Sequence, residues 1–327
     1  MSDSKEQQLW DASALGNLDI VMRLANDPAV NVNWGDPQHD RTAFYRACGH
    51  GCVSVVEFLL KHPNVDAKKL QSQGGSPLYI ACQEGHTEVV SLLLKDMRVD
   101  VNFPMNAGHT PFNIACEDGR TKVVSLLLAD TRIDINKPEK TQRTPLYMAS
   151  QNCHLPLVQL ILASGREIDT KTKSIAGPAA WNDKTASEIA RFQGIRAKYT
   201  NESEEDYSNA KQNGPLIAAL IDSFEADPAT TRKQLRELPE LRDSFISDLF
   251  ALVIFLCDEL LKVNAESSAS SLYKAARFFR IAQSLPIELQ MMLCNHVFGA
   301  GKNNVLTKHS EPAFKKLGRW LAMSESG

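Results

Sequence analysis

Four consecutive residues of this 327-residue chain, Gly299, Ala300, Gly301 and Lys302, could in principle act on a phosphate. A glycine-rich loop ending in lysine can surround phosphate oxygens with backbone N–H groups and one cation. That loop also requires glycine five residues before Gly301 and Ser or Thr after the lysine. His296 and Asn303 stand there instead, so nucleotide binding is not expected. Metal chemistry finds no better pattern: the eight histidines are scattered, with neither H-E-x-x-H nor paired C-x-x-C. Cys48, Cys82 and Cys116 recur at one spacing, with Ser150 next in the series. A small, weakly polar residue where helices touch accounts for them, and they are expected as reduced thiols. Asn201-Glu202-Ser203 fits a glycosylation sequon, but Met1 to Gln8 lack the apolar core of an export signal, so the expected compartment is the cytosol, with the nucleus as the alternative. No catalysis, cofactor or metal is expected.

Those cysteines belong to a larger period. Gly75 to Leu94 reads as two helices, the first capped by Ser76 and preset by Pro77, and ended by Gly85. The second starts at Thr87 and carries Val89, Val90, Leu92, Leu93 and Leu94 on one broad apolar face. Copies follow the alanines Ala12, Ala47, Ala81, Ala115, Ala149 and Ala190, and four residues after each stands Gly16, Gly51, Gly85, Gly119, Cys153 or Gly194. Neither helix covers its own apolar side, so the unit must stack on its neighbours.

The words Ser76-Pro77-Leu78, Thr110-Pro111-Phe112 and Thr144-Pro145-Leu146, with Gly85-His86 later in the unit, make the first two thirds of the chain resemble the ankyrin repeat family. The resemblance implies an all-α solenoid of helix pairs joined by projecting hairpin fingers. Two departures stand out. The family's histidine after T-P-L is replaced by Tyr45, Tyr79, Asn113 and Tyr147, and the turn after each second helix is one residue longer, as in Asp130-Thr131-Arg132. His86 and His154 hold the family's structural G-H position.

Six repeats are expected within residues 6–224: 8–40, 41–74, 75–108, 109–142, 143–181 and 182–224. The polar start of the first suits an N-terminal cap. The last holds an insertion, 195–213, whose Glu202, Glu204, Glu205 and Asp206 suggest an exposed loop before the helix resumes at Pro215. Beyond this the period vanishes while helical spacing persists, so 225–327 is expected to be a helical C-terminal module. Its longest apolar run, Leu249 to Cys257, is about half the ~18 residues of a membrane span.

A net charge of -3 and a pI near 6.3 give no basic footprint for nucleic acid. Binding of another protein is the better expectation, because stacked repeats present equivalent positions side by side. One such column on the fingers is Trp34, Lys69, Phe103 and Lys137, with Met105 nearby, and its large apolar members suggest contact anchors. In the family the end of each first helix faces a concave groove. Here that column supplies Gln83 and Glu84, Glu117 and Asp118, and Gln151 and Asn152, whose acidic centre favours a partner with a basic surface. Leu285-Pro286-Ile287-Glu288-Leu289 is faintly similar to the start of an F-box, which implies as an alternative a substrate adaptor of a cullin-type ubiquitin ligase. An enzyme with an unfamiliar C-terminal site is the third reading.

Overall fold

In the computed structural model, residues 4–175, 181–238 and 241 are described. Thirteen helices and no strands occur among them. The chain divides into two compact units, Met1–Thr231 and Arg232–Gly327. The helices expected beyond residue 241, the phosphate-loop-like run at 299–302 and the F-box-like segment at 285–289 lie outside the described residues. Among the described residues no helix is long and apolar enough to cross a membrane.

The helices come in pairs: α1 (Lys5–Ala14) with α2 (Leu18–Ala25), α3 (Ala43–Gly49) with α4 (Val53–Lys61), α5 (Pro77–Glu84) with α6 (Thr87–Leu94), α7 (Pro111–Glu117) with α8 (Thr121–Leu128), α9 (Pro145–Gln151) with α10 (Leu155–Ala163), and α11 (Ala186–Ile195) with α12 (Glu204–Ala226). A last short helix, α13, spans Pro228–Arg236. First helices pack on first helices from α1 through α11, and second helices on second helices from α2 through α12. The result is the two-layer solenoid that the period demanded. Each first helix starts at a hydroxyl residue whose oxygen accepts a backbone N–H three residues on: Ser4, Thr42, Ser76, Thr110, Thr144 and Thr185. Between the layers lie the valines and leucines of the second helices, among them Val56, Val90, Leu93, Val124 and Leu157, with the marker alanines where first helices meet.

The fingers between the helix pairs are narrow hairpin turns. Each is closed by two backbone bonds: Gln71 N to Gly75 O with Gly74 N to Gln71 O, Met105 N to His109 O with Gly108 N to Met105 O, and Glu139 N to Arg143 O with Gln142 N to Glu139 O, at 2.7–3.2 Å. Pairing does not extend into a ladder, and among the described residues an isolated bridge between Gly35 and Thr42 is the strand-like pairing present.

Side chains lock one turn to the next. Asn33 donates to Asn64 O (2.7 Å) and accepts from Asp66 N (2.8 Å). Asn102 does the same with Arg132 O and Asp134 N, and Asn136 with Glu167 O and Asp169 N. The longer turn after the second helix also has a use. Arg98 and Arg132 each grip an aspartate two residues earlier, Asp96 or Asp130, and reach back to a carbonyl in the last turn of the previous second helix, Leu60 O (2.7 Å) or Leu94 O (2.6 Å). The guanidinium of Arg98 holds the Asp96 carboxyl below its ordinary range.

The insertion departs from expectation. Its second half is not a loop: α12 begins at Glu204, capped by Ser203 and carrying Glu204, Glu205 and Asp206 in its first turn, where the helix dipole favours acids. It runs unbroken through Pro215. The segment before it is tied down by Arg196, which binds Glu202 through two N–H groups, one at 2.7 Å, and lies 4.0 Å over the Tyr199 ring. These partners are 7% and 10% exposed. The Arg196 hydrogen bonds, working against burial, hold the Glu202 carboxyl down from 4.5 to about 2. A folded value below the unfolded one contributes stability that is fully present above pH 4.5 and lost as pH falls toward 2. Melting of Glu202→Gln by circular dichroism should therefore fall below wild type at pH 7 by about 1–2 kcal/mol, with the gap closing across that window. A constant gap would remove the ion pair as its cause.

Candidate functional site

The ends of the first helices are built by the repeat that follows. Cys52 Sγ approaches Ala14 O at 3.5 Å, His86 Nε2 lies 3.0 Å from Gly49 O, Arg120 Nε donates to Gln83 O at 2.7 Å, and His154 Nε2 lies 3.0 Å from Glu117 O. One position in each unit thus caps the final turn of the previous first helix. His86 comes this close because Gly51, at φ +70°, has no Cβ, which would fall 2.6 Å from the imidazole Nδ1. Asn152 Nδ2 adds a second bond to Glu117 O at 2.7 Å. The backbone carrying Gln83 and Glu117 is fixed by the stack itself.

On that rigid edge the expected groove column stands as follows. Glu84 and Asp118 are exposed, while Gln83, Glu117, Gln151 and Asn152 are half-buried. Glu117 Oε2 is 3.2 Å from His109 Nδ1. Partial burial, then the charges of Glu117 and Glu84, raise the Asp118 carboxyl above its ordinary range, against the opposing pull of Arg120 and His154. A crowded carboxylate of this kind gains when a cation arrives. Gln151 Oε1 is buried without a hydrogen-bond partner among the described residues.

The finger column is mixed. Lys69 Nζ donates to Asn33 O at 2.9 Å and pairs with Asp40 at 3.0 Å, and Lys137 Nζ donates to Asn102 O at 3.2 Å. Both lysines have a part in holding fingers together. Phe103 is 36% exposed, whereas Trp34 and Met105 are half-buried.

Two features at the groove, Leu15 and Arg46, were not singled out in the sequence, and the structure adds burial to Tyr45 and Tyr79. Leu15 holds the first repeat's place in the Glu84–Asp118 column and is 83% exposed. Arg46 lies 4.0 Å over the Trp10 ring. Tyr45 and Tyr79 are buried, and burial first of all pushes both phenols up. The unit spacing marks Leu15; the Arg46–Trp10 contact depends on packing between repeats.

Among the described residues no three His, Cys, Asp or Glu side chains group to hold a metal ion. The Cys48, Cys82 and Cys116 thiols are free and buried, and burial pushes all three up. A family model for ankyrin repeats, three copies in length, matches residues 9–105 and again 97–172, together half of the chain. No curated protein matches the chain.

Proposed function

The chain belongs to the ankyrin repeat family, and from that premise we propose that it holds another protein along the edge formed by its first helices and fingers, with no covalent chemistry of its own. Ankyrin repeats are generally protein–protein interaction modules and typically non-catalytic. The observation that carries the reading is the acidic centre Glu84, Glu117 and Asp118, borne on helix ends already capped by the next repeat. Such an edge loses little entropy when occupied. Gln83, Gln151 and Asn152 extend it with amides, and Phe103, Met105 and Trp34 offer apolar anchors on the adjoining fingers. A partner with a basic surface is the complement. Lys69 and Lys137 would contribute through the finger geometry they maintain. The cytosol suits the reduced thiols, with the nucleus as the other compartment.

Phe103→Ala and Glu117→Gln in the full chain test this. Each should leave the far-UV melt within a degree or two and cut recovery of a specific partner in pull-down by about tenfold, the cost of losing one anchor. Glu57→Gln, on α4 in the other layer, should change nothing. Recovery unaltered by either groove variant would assign the partner to another face.

A further inference from the structure

The residue before a helix cap and the residue four places after the cap pack against each other across the first turn, usually as an apolar pair. In the second repeat both are arginine, Arg41 before the cap Thr42 and Arg46 on α3. The next three repeats carry Gly75, His109 and Arg143 at the first place and Ile80, Ile114 and Met148 at the second. There the polar side chains find acids of their own repeat. Arg143 Nε donates to Glu139 Oε1 at 2.9 Å, and His109 Nδ1 lies 3.2 Å from Glu117 Oε2. The second repeat supplies neither acid. Asp36 closes its finger where Glu139 closes the later one, but it is a methylene shorter and accepts instead from the backbone N–H groups of Arg41 (2.7 Å) and His39 (3.0 Å). Gly49 stands where Glu117 does. Both guanidinium groups are left without an anion: the Nε of each is buried with no hydrogen-bond partner, and neither side chain has an ion pair among the described residues. Trp10 fixes the two together, its Nε1 donating to Arg41 O at 2.7 Å and its ring lying 4.0 Å from the Arg46 guanidinium. Asp11, at the place of Arg46 on the neighbouring α1, accepts from Gln7 at 3.2 Å. Burial, then the Arg41 charge, lower the Arg46 guanidinium from its ordinary range against the pull of Asp11 and Asp36.

Resting on the reading of this edge as the binding face, we propose that Arg41 and Arg46 form a phosphate subsite at its first end. It takes a phosphorylated serine or threonine of the partner, whose basic residues meet Glu84, Glu117 and Asp118. Two cations held side by side, each with a buried N–H that water does not reach, gain most from an anion that serves both. A phosphomonoester carries about −1.5 to −2 charges at pH 7 and three acceptor oxygens, enough for two guanidinium forks. A carboxylate brings one charge and two oxygens. Nucleic acids and anionic membranes also offer phosphates, but they would lay a row of negative charge against the acids of α5 and α7. A peptide can carry a single phosphate with cations beside it. Neighbouring helices α3 and α5 pack about 8–10 Å apart, which an extended segment covers in about three residues.

The test is fluorescence anisotropy of the full chain with labelled peptides that carry two arginines three residues from a serine, on either side of it, the serine being phosphorylated, unmodified or replaced by glutamate. In one of the two orders the phosphorylated peptide should bind at least about tenfold more tightly than the unmodified one and severalfold more tightly than the glutamate one. Arg41→Gln and Arg46→Gln should each remove most of that gain. Arg41→Gln should also keep the wild-type melting temperature, since no hydrogen bond of its side chain is lost. Arg143→Gln should do the reverse, lowering the melting temperature because Glu139 is buried, and keeping the gain. Glu84→Gln with Asp118→Asn should weaken all three peptides alike. No gain from phosphate in either order, a gain that both arginine variants keep, equal binding of the glutamate peptide, or tighter binding to phosphoinositide vesicles than to the phosphorylated peptide would overturn the inference and leave the acidic centre in place. If the acid variants change no peptide's affinity, the reading of the acidic centre falls, whatever the arginine variants show.

Discussion

Alanine at Gly214 is expected to destabilise the α11–α12 pair by about 2–3 kcal/mol, although glycine to alanine inside a helix normally stabilises by about 1 kcal/mol. The sign reverses because of where α12 crosses α11. A Cβ on Gly214 would lie 2.6 Å from Ala190 O, 2.7 Å from Gly194 N and 3.0 Å from Gly194 Cα, all backbone atoms with no rotamer to escape into. Gly194 faces the same crossing, where its own Cβ would fall 2.6 Å from Pro215 Cδ. Two glycines and a proline thus let the helices touch backbone to backbone. In a solenoid each repeat is held by its neighbours, so loosening this pair removes cover from α9 and α10. Thermal melting should shift down by several degrees, and amides of α11 should exchange faster than those of α5. Ser208→Ala, exposed on the same helix, should instead gain a few tenths of a kcal/mol. A Gly214→Ala protein that melts higher than wild type would mean the helices do not cross this closely.

The asparagine ladder supplies a pair of changes with opposite signs. Asn102→Ala removes two inter-repeat hydrogen bonds, to Arg132 O (2.7 Å) and from Asp134 N (2.8 Å), and should cost about 2 kcal/mol. The rung missing from the series is at Lys68, which stands where Asn33, Asn102 and Asn136 stand in their units. The backbone is already set for asparagine there: Lys68 N donates to Asp66 Oδ1 at 2.9 Å, as Asn102 N does to Asp100 Oδ1 at 3.0 Å. Lys68→Asn would reach Arg98 O and Asp100 N and should gain about 1 kcal/mol. Urea midpoints of the two variants should move in opposite directions with unchanged slope. Parallel shifts would show that the ladder does not couple the repeats.

The period of about 34 residues, the hydroxyl caps, the proline starts and the apolar faces of the second helices were legible in the chain, because each depends on residues within one turn of one another. From them the stacked helix pairs follow, and with the stacking the columns that hold Glu84, Glu117 and Asp118. The acids of the insertion were misleading for the same reason: Glu204, Glu205 and Asp206 read as a solvated loop until Ser203 is seen to cap them as the first turn of α12. What the tertiary structure alone decided are matters of register between residues a whole repeat apart. It joins Lys69 to Asn33, Arg132 to Leu94 and His154 to Glu117, gives the Tyr147 hydroxyl the Trp181 carbonyl, and brings Gly214 against Ala190. Local propensity cannot encode these pairings, since a side chain's partner across the stack depends on how far the neighbouring unit has been rotated and shifted, and that is fixed only when all the apolar faces pack at once.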